Sequence, residues 1–101
     1  MEFRDRDITI ASSAAFDMNA AFFWYELRRP GLGEAFVGEC HLLFQAIAQR
    51  PQTYREVLPR RRRALLRRFP FFVFFEVIDE RVVIHGVVHV RQSPSVWPNA
   101  W

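Results

Sequence analysis

A chain of 101 residues, 50% hydrophobic and 16% aromatic, holds ample material for one compact domain spanning 1–101 and is too short for two, and its aromatic content argues against disorder. The net charge is +3 and all 14 basic residues are arginine; the absence of lysine excludes lysine-based acid–base and Schiff-base chemistry, while the basic excess points to an acidic partner, protein or nucleic acid. The single cysteine, Cys40, excludes an intrachain disulfide and a multi-cysteine metal site, and no apolar run reaches the ~18–20 residues of a membrane helix.

The N-terminal segment MEFRDRDITIASS is charged and lacks the apolar centre of a signal peptide, so a cytoplasmic protein is the expectation. Residues 6–11, RDITIA, alternate weakly and predict a short strand. A helix follows over Ala14 to Leu27, with Ser12 or Ser13 available as its cap. Phe16, Ala20, Phe23 and Leu27 recur at helical spacing and form one stripe. Arg28 and Arg29 suit a helix C-terminus, and Pro30-Gly31 breaks the chain.

A second helix is predicted from Leu32 to Gln49, with Phe36, Cys40, Leu43 and Ile47 as its stripe and Val37 and Phe44 beside it. The short connection predicts an antiparallel helical hairpin. Residues 51–61, PQTYREVLPRR, carry two prolines and read as an irregular connection. Cys40 lies on the apolar side of the second helix and reads as a small buried hydrophobe.

Three strands follow, at 62–69, 71–78 and 81–90. The last two are joined by Asp79-Glu80, which predicts a hairpin. Strict alternation puts Phe71, Val73, Phe75 and Val77 on one face and Phe72, Phe74, Glu76 and Ile78 on the other. In the last strand it groups Val82, Ile84, Gly86, Val88 and Val90 against Val83, His85, Val87, His89 and Arg91. Each strand thus has an apolar face, expected to receive the helices, and a mixed face, expected to lie open and to bind a partner. His85 and His89, about 13 Å apart along one strand face, are too distant to share a metal ion. Across the first of these strands, six arginines fall within the nine residues 60–68, and eight of the ten residues that follow are apolar. Arginines in this position supply solubility and steering, and the aromatics supply binding area.

The order β-α-α-β-β-β and three stretches resemble the RelE/ParE toxin superfamily of type II toxin–antitoxin systems, in its ParE-like, plasmid-stabilization branch. WYELRRPGLGEAF (24–36) is similar to that family's W-Y-E-x-x-R-P-G-L-G-x-x-F turn between helices. RRALLRRFPFFVFFEV (62–77) is similar to its basic strand, R-F-P-Y turn and aromatic strand. VVIHGVVHVRQSPSVW (82–97) is similar to its last strand and H-G-R-R-D-P-x-x-W ending, of which His89, Arg91, Pro94 and Trp97 are present while Val90, Gln92 and Ser93 depart from it. The resemblance implies an α+β fold, a two-helix hairpin packed on a small antiparallel sheet, with no cofactor and no metal. It implies a toxin neutralised by a cognate antitoxin and poisoning DNA gyrase by binding, not by catalysis. The alternatives are a RelE-like ribosome-dependent mRNA endonuclease and a non-toxic binding module of the same fold. On this reading Arg67, Arg68, Phe72, Phe74 and His85 bind the antitoxin, and His89, Arg91 and Trp97 meet the target. No residue is assigned a catalytic role.

Overall fold

The computed structural model describes residues 6–92. They form β1 (Asp7–Ile10), α1 (Ser12–Arg28), α2 (Leu32–Gln49), a 3-10 turn (Pro51–Thr53), β2 (Arg55–Leu58), β3 (Arg61–Leu65), β4 (Phe71–Ile78) and β5 (Arg81–His89). The five strands build one sheet in the order β1-β5-β4-β3-β2. β1 lies at one edge of the sheet, and the helical hairpin and the sheet hairpin follow the sequence expectation.

Two features of the sheet differ from it. First, the sheet is mixed, because β1 runs parallel to β5, with Asp7 opposite Arg81 and Ile10 opposite Ile84. Second, the segment read as an irregular connection contains β2, which pairs antiparallel with β3. β2 is short and charged, as sheet edges tend to be, so it lacks the apolar alternation that marks a strand in sequence. The turn after it places Arg60 at φ 63, and the Arg60 N–H donates to the Glu56 carboxylate at 3.1 Å.

Strand β3 ends at Leu65, short of the predicted 69. Leu66 and Phe69 instead turn into the core, at 3% and 7% exposure. Glu39 on α2 fixes this turn by accepting from the Arg68 backbone N–H at 2.8 Å and the Arg68 Nε–H at 2.9 Å. Burial raises the Glu39 pKa, but the hydrogen bonds from Arg68 and Arg67 and the Arg68 charge outweigh it and leave the carboxyl below its ordinary range.

The interhelical turn shows why its sequence is so specific. Gly31 has φ 91, a left-handed conformation that favours glycine. The Glu26 carboxylate reaches back from α1 to accept from the Gly31 and Gly33 N–H groups at 2.8 and 2.9 Å, satisfying two donors at the start of α2. A Cβ on Gly33 would lie 2.5 Å from the Phe22 carbonyl oxygen, so the helices meet there through bare backbone.

The core lies between the hairpin and one sheet face. Phe36, Cys40, Phe44 and Ile47 of α2 meet Val73, Phe75, Val82, Ile84 and Val87 of the sheet. Tyr25, Phe36, Phe69 and Phe71 close one end as a ring cluster, with Tyr25 to Phe69 at 4.9 Å and Phe36 to Phe71 at 5.0 Å. Helix α1 buries small residues, Ala14, Met18 and Ala21. The stripe legible in its sequence is its outer face: Phe16 is 74% and Leu27 85% exposed.

Candidate functional site

The far face of the sheet carries a polar cluster drawn from three strands. Arg61 on β3 pairs with the Glu76 carboxylate on β4, and Glu76 Oε1 lies 2.9 Å from His85 Nε2 on β5. Arg61 Nη1 is also 3.1 Å from that nitrogen. One ring nitrogen cannot donate to Glu76 and accept from Arg61 at once, so the carboxylate is the centre of the cluster, accepting hydrogen bonds from both neighbours.

A β-bulge puts His85 there. Phe74 opposes Gly86 while Phe75 opposes Ile84, leaving His85 as the extra residue of β5. Beyond the bulge the alternation is reversed. Val87 pairs with Val73 and joins the core, and His89 pairs with Phe71 on the helix side, its ring 5.2 Å from that phenyl ring. The expectation that His85 and His89 share a face is therefore corrected: the extra residue sends them to opposite sides of the sheet. Gly86 in mid-strand was the available signal, because an isolated glycine in a strand often marks a bulge.

Alternation along β3 divides the arginine run. Arg61 and Arg63 point to the far face, and the Arg63 guanidinium sits 4.3 Å from the Phe72 ring centre. Arg62 turns the other way and donates to the Tyr54 carbonyl at 2.7 Å. The far face is consequently not the open apolar patch expected. Phe74 is fully buried and Val88 is 5% exposed, while arginine stems and heads lie across the half-buried Phe72 and the Glu76–His85 pair.

The five residues expected to meet an antitoxin fall into two places. Phe72, Phe74 and His85 lie on the far face. Arg67 and Arg68 instead rim a cleft of about 1030 Å³ between α2 and the end of β3, floored by Leu42, Leu43, Leu65 and Leu66. Leu42 and Leu65 are 69% and 55% exposed there. Sequence reasoning missed both leucines, because each is one more apolar residue within an apolar run. The residues expected to meet the target are also divided. His89 borders a separate hollow of about 410 Å³ with Trp24, Tyr25 and Phe71. Its Nδ1 accepts from the Arg91 backbone N–H at 3.0 Å. Arg91 is exposed, and Trp97 lies outside the described residues.

Among the described residues no group of histidine, cysteine and carboxylate side chains could hold a metal ion, and no helix is long and apolar enough to cross a membrane. Cys40 is fully buried, and burial, followed by the Glu39 charge, pushes its thiol pKa up to about 12.

Comparison with known proteins finds likeness in structure alone. No protein-family model and no curated protein matches the sequence. A chain of the chromosomal ParDE toxin–antitoxin system of Pseudomonas aeruginosa superposes with a TM-score of 0.76 at 20% identity, covering 86% of this chain and 98% of that one. The isolated Escherichia coli RelE toxin gives a TM-score of 0.63 at 15% identity, covering 89% of each chain. A mutant of RelE in complex with a peptide of its antitoxin RelB gives 0.62 at 16% identity, covering 97% and 96%. This chain has the RelE/ParE toxin fold. The likeness extends over nearly the full length of each neighbour.

Proposed function

We propose that this chain is the toxin of a type II toxin–antitoxin pair, neutralised by an antitoxin seated in the α2–β3 cleft. The observation that carries the reading is that cleft. Leu42 and Leu65 stand more than half exposed beneath the rim formed by Arg67 and Arg68. An acidic amphipathic segment matches both parts, its apolar side on the leucines and its carboxylates on the arginines. Free toxin stays soluble through the same arginines. For the target we favour DNA gyrase, engaged by binding through the end of β5 with His89, Arg91 and Trp97. Whole-length likeness to a chain of a ParDE system supports that branch.

The Arg61–Glu76–His85 cluster favours a second reading, ribonuclease action. A carboxylate, an imidazole and a guanidinium within hydrogen-bond reach are the groups needed to take a 2′-hydroxyl proton, protonate the leaving oxygen and neutralise phosphorane charge. In the present arrangement Arg61 and His85 both converge on Glu76, which leaves the carboxylate engaged and favours binding over catalysis.

Two assays on purified protein separate the readings: supercoiling by DNA gyrase, and primer extension on ribosome-bound mRNA. Inhibited supercoiling without mRNA cuts is expected, weakened in Arg91→Ala and retained in Glu76→Gln. Cuts that disappear in Glu76→Gln would replace the gyrase reading by the second one. For the antitoxin site, Leu42→Asp and Leu65→Asp should each weaken the complex by about 2 kcal/mol or more. Undiminished co-purification of both variants with the product of a neighbouring short gene would remove the cleft from the proposal.

A further inference from the structure

Helix α1 presents a second apolar face that no other element covers among the described residues. Its core-facing residues are Ala14, Met18 and Ala21. At ~100° per residue, Phe16, Ala20, Phe23 and Leu27 fall within about 60° of arc on the diametrically opposite side. Phe16, Phe23 and Leu27 are 74%, 61% and 85% exposed, and Trp24 beside them is 51% exposed. Their spacing of four, three and four residues is a heptad seam, the pattern that a second helix fills.

We propose that this seam is the interface of a homodimer in which two copies of α1 pack antiparallel about a two-fold axis between Ala20 and Phe23. The sequence is complementary to itself under that operation. Phe16 of one copy faces Leu27 of the other, and Ala20, the one small residue of the seam, faces Phe23. Each large ring at the centre therefore meets a space instead of another ring, as an isologous contact requires. The antiparallel sense also aligns the helix dipoles favourably. Arg28 flanks the seam, its guanidinium 3.4 Å from the Trp24 ring centre.

The area agrees with a modest dimer. With ~150–250 Å² available on each large aromatic side chain, the exposed parts of the four residues present roughly 500 Å² per copy. That is at the upper end of what a monomer usually leaves bare. Two copies together bury at most about 1,000 Å², the lower bound of a specific interface. The α2–β3 cleft differs in being rimmed by arginine, which suits an acidic partner. The α1 seam has no charge within it, which suits a second copy of the same apolar face.

Analytical ultracentrifugation of the purified chain from about 1 to 100 μM tests this. The wild type should sediment as a concentration-dependent dimer. Phe16→Glu and Leu27→Lys should each weaken association by roughly 30-fold with unchanged circular dichroism, since both side chains are exposed. The double variant Phe16→Glu/Leu27→Lys should recover the dimer, because antiparallel packing sets each glutamate against a lysine; parallel packing would set like charges together and give no recovery. A wild type that stays monomeric throughout, single variants that associate as the wild type does, or a double variant that fails to recover would each overturn the proposal. So would loss of a co-purifying antitoxin in the single variants of a monomeric wild type, which would assign the seam to that partner.

Discussion

The Asp17 carboxylate accepts a hydrogen bond from the Val87 backbone N–H at 3.0 Å, so a helix residue takes the place of a neighbouring strand. β1 pairs with β5 only through Ile84. Beyond it, Ser13 Oγ donates to the His85 carbonyl at 2.6 Å, and Asp17 serves Val87. Four residues of helix rise ~6 Å and two of strand ~6.7 Å, so the two ladders stay in step. Ser13, expected as a possible cap for α1, is thus diverted to the sheet, and Ala11 stands at the N-cap with no side-chain cap hydrogen bond.

Loss of this acceptor strands a part-buried donor. Asp17→Ala should lower stability by about 1–3 kcal/mol in urea unfolding at pH 7. Asp17→Asn keeps an acceptor and should cost less. Burial, opposed by the Val87 hydrogen bond, raises the Asp17 pKa above 3.8. A carboxyl raised on folding penalises the ionised folded state, so its contribution to stability improves as pH falls from the folded pKa towards the unfolded one. Equal losses for the alanine and asparagine variants at pH 7 would show that the hydrogen bond has no such role.

Glu39 has the opposite sign. Its folded pKa lies below the ordinary value of 4.5, so its stabilisation is full above that value and is lost as pH falls through the folded pKa. Glu39→Gln should cost about 1 kcal/mol at neutral pH, held down by the exposed position of its partner Arg68. The difference between wild type and variant should shrink in unfolding curves taken progressively below pH 4.5. A difference that is constant with pH would exclude the charge as its origin.

Three glycines should respond to alanine in three ways. Gly33→Ala drives a Cβ into the Phe22 carbonyl and ring, at 2.5 and 2.8 Å, and should cost about 1–3 kcal/mol as overpacking. Gly31→Ala meets no atom within 4 Å but holds φ 91, and should cost about 1 kcal/mol. Gly38→Ala stands in open space within α2 and should stabilise by up to about 1 kcal/mol. Thermal melts of the three variants check the order, and a destabilised Gly38→Ala would contradict it.

Cys40, fully buried and with its pKa pushed up to about 12, stays a protonated thiol at physiological pH. Iodoacetamide at pH 8 should leave the native protein unmodified over hours and alkylate it fully in guanidinium, as read by intact mass. Rapid native alkylation would mean that the α2 core opens readily.

Much of this fold is legible along the chain because its signals are local. The stripe of Phe36, Cys40 and Ile47 marks α2. Pro30, Gly31 and Gly33 mark the interhelical turn, and the apolar alternation of Phe71 to Val77 marks β4 and its inner face. The most distinctive stretch, WYELRRPGLGEAF, turns out to serve architecture: Glu26 and Gly33 are where two helices touch. The arginine-rich segment was legible as a basic surface beside aromatics, but its division among the far face, the Tyr54 carbonyl and the α2 cleft was not.

What the sequence by itself determined is the type and order of the elements other than the edge strand β2, since hydrophobic period, prolines and glycines act within a few residues of one another. What only the tertiary structure decided depends on neighbours distant in the chain. Which stripe of α1 faces inward was settled by the close approach of Ala14, Met18 and Ala21 to the rest of the core, leaving the larger Phe16, Phe23 and Leu27 outside. The side of the sheet that His89 joins was settled by one extra residue at His85, because a side-chain period of two turns a single insertion into a change of face.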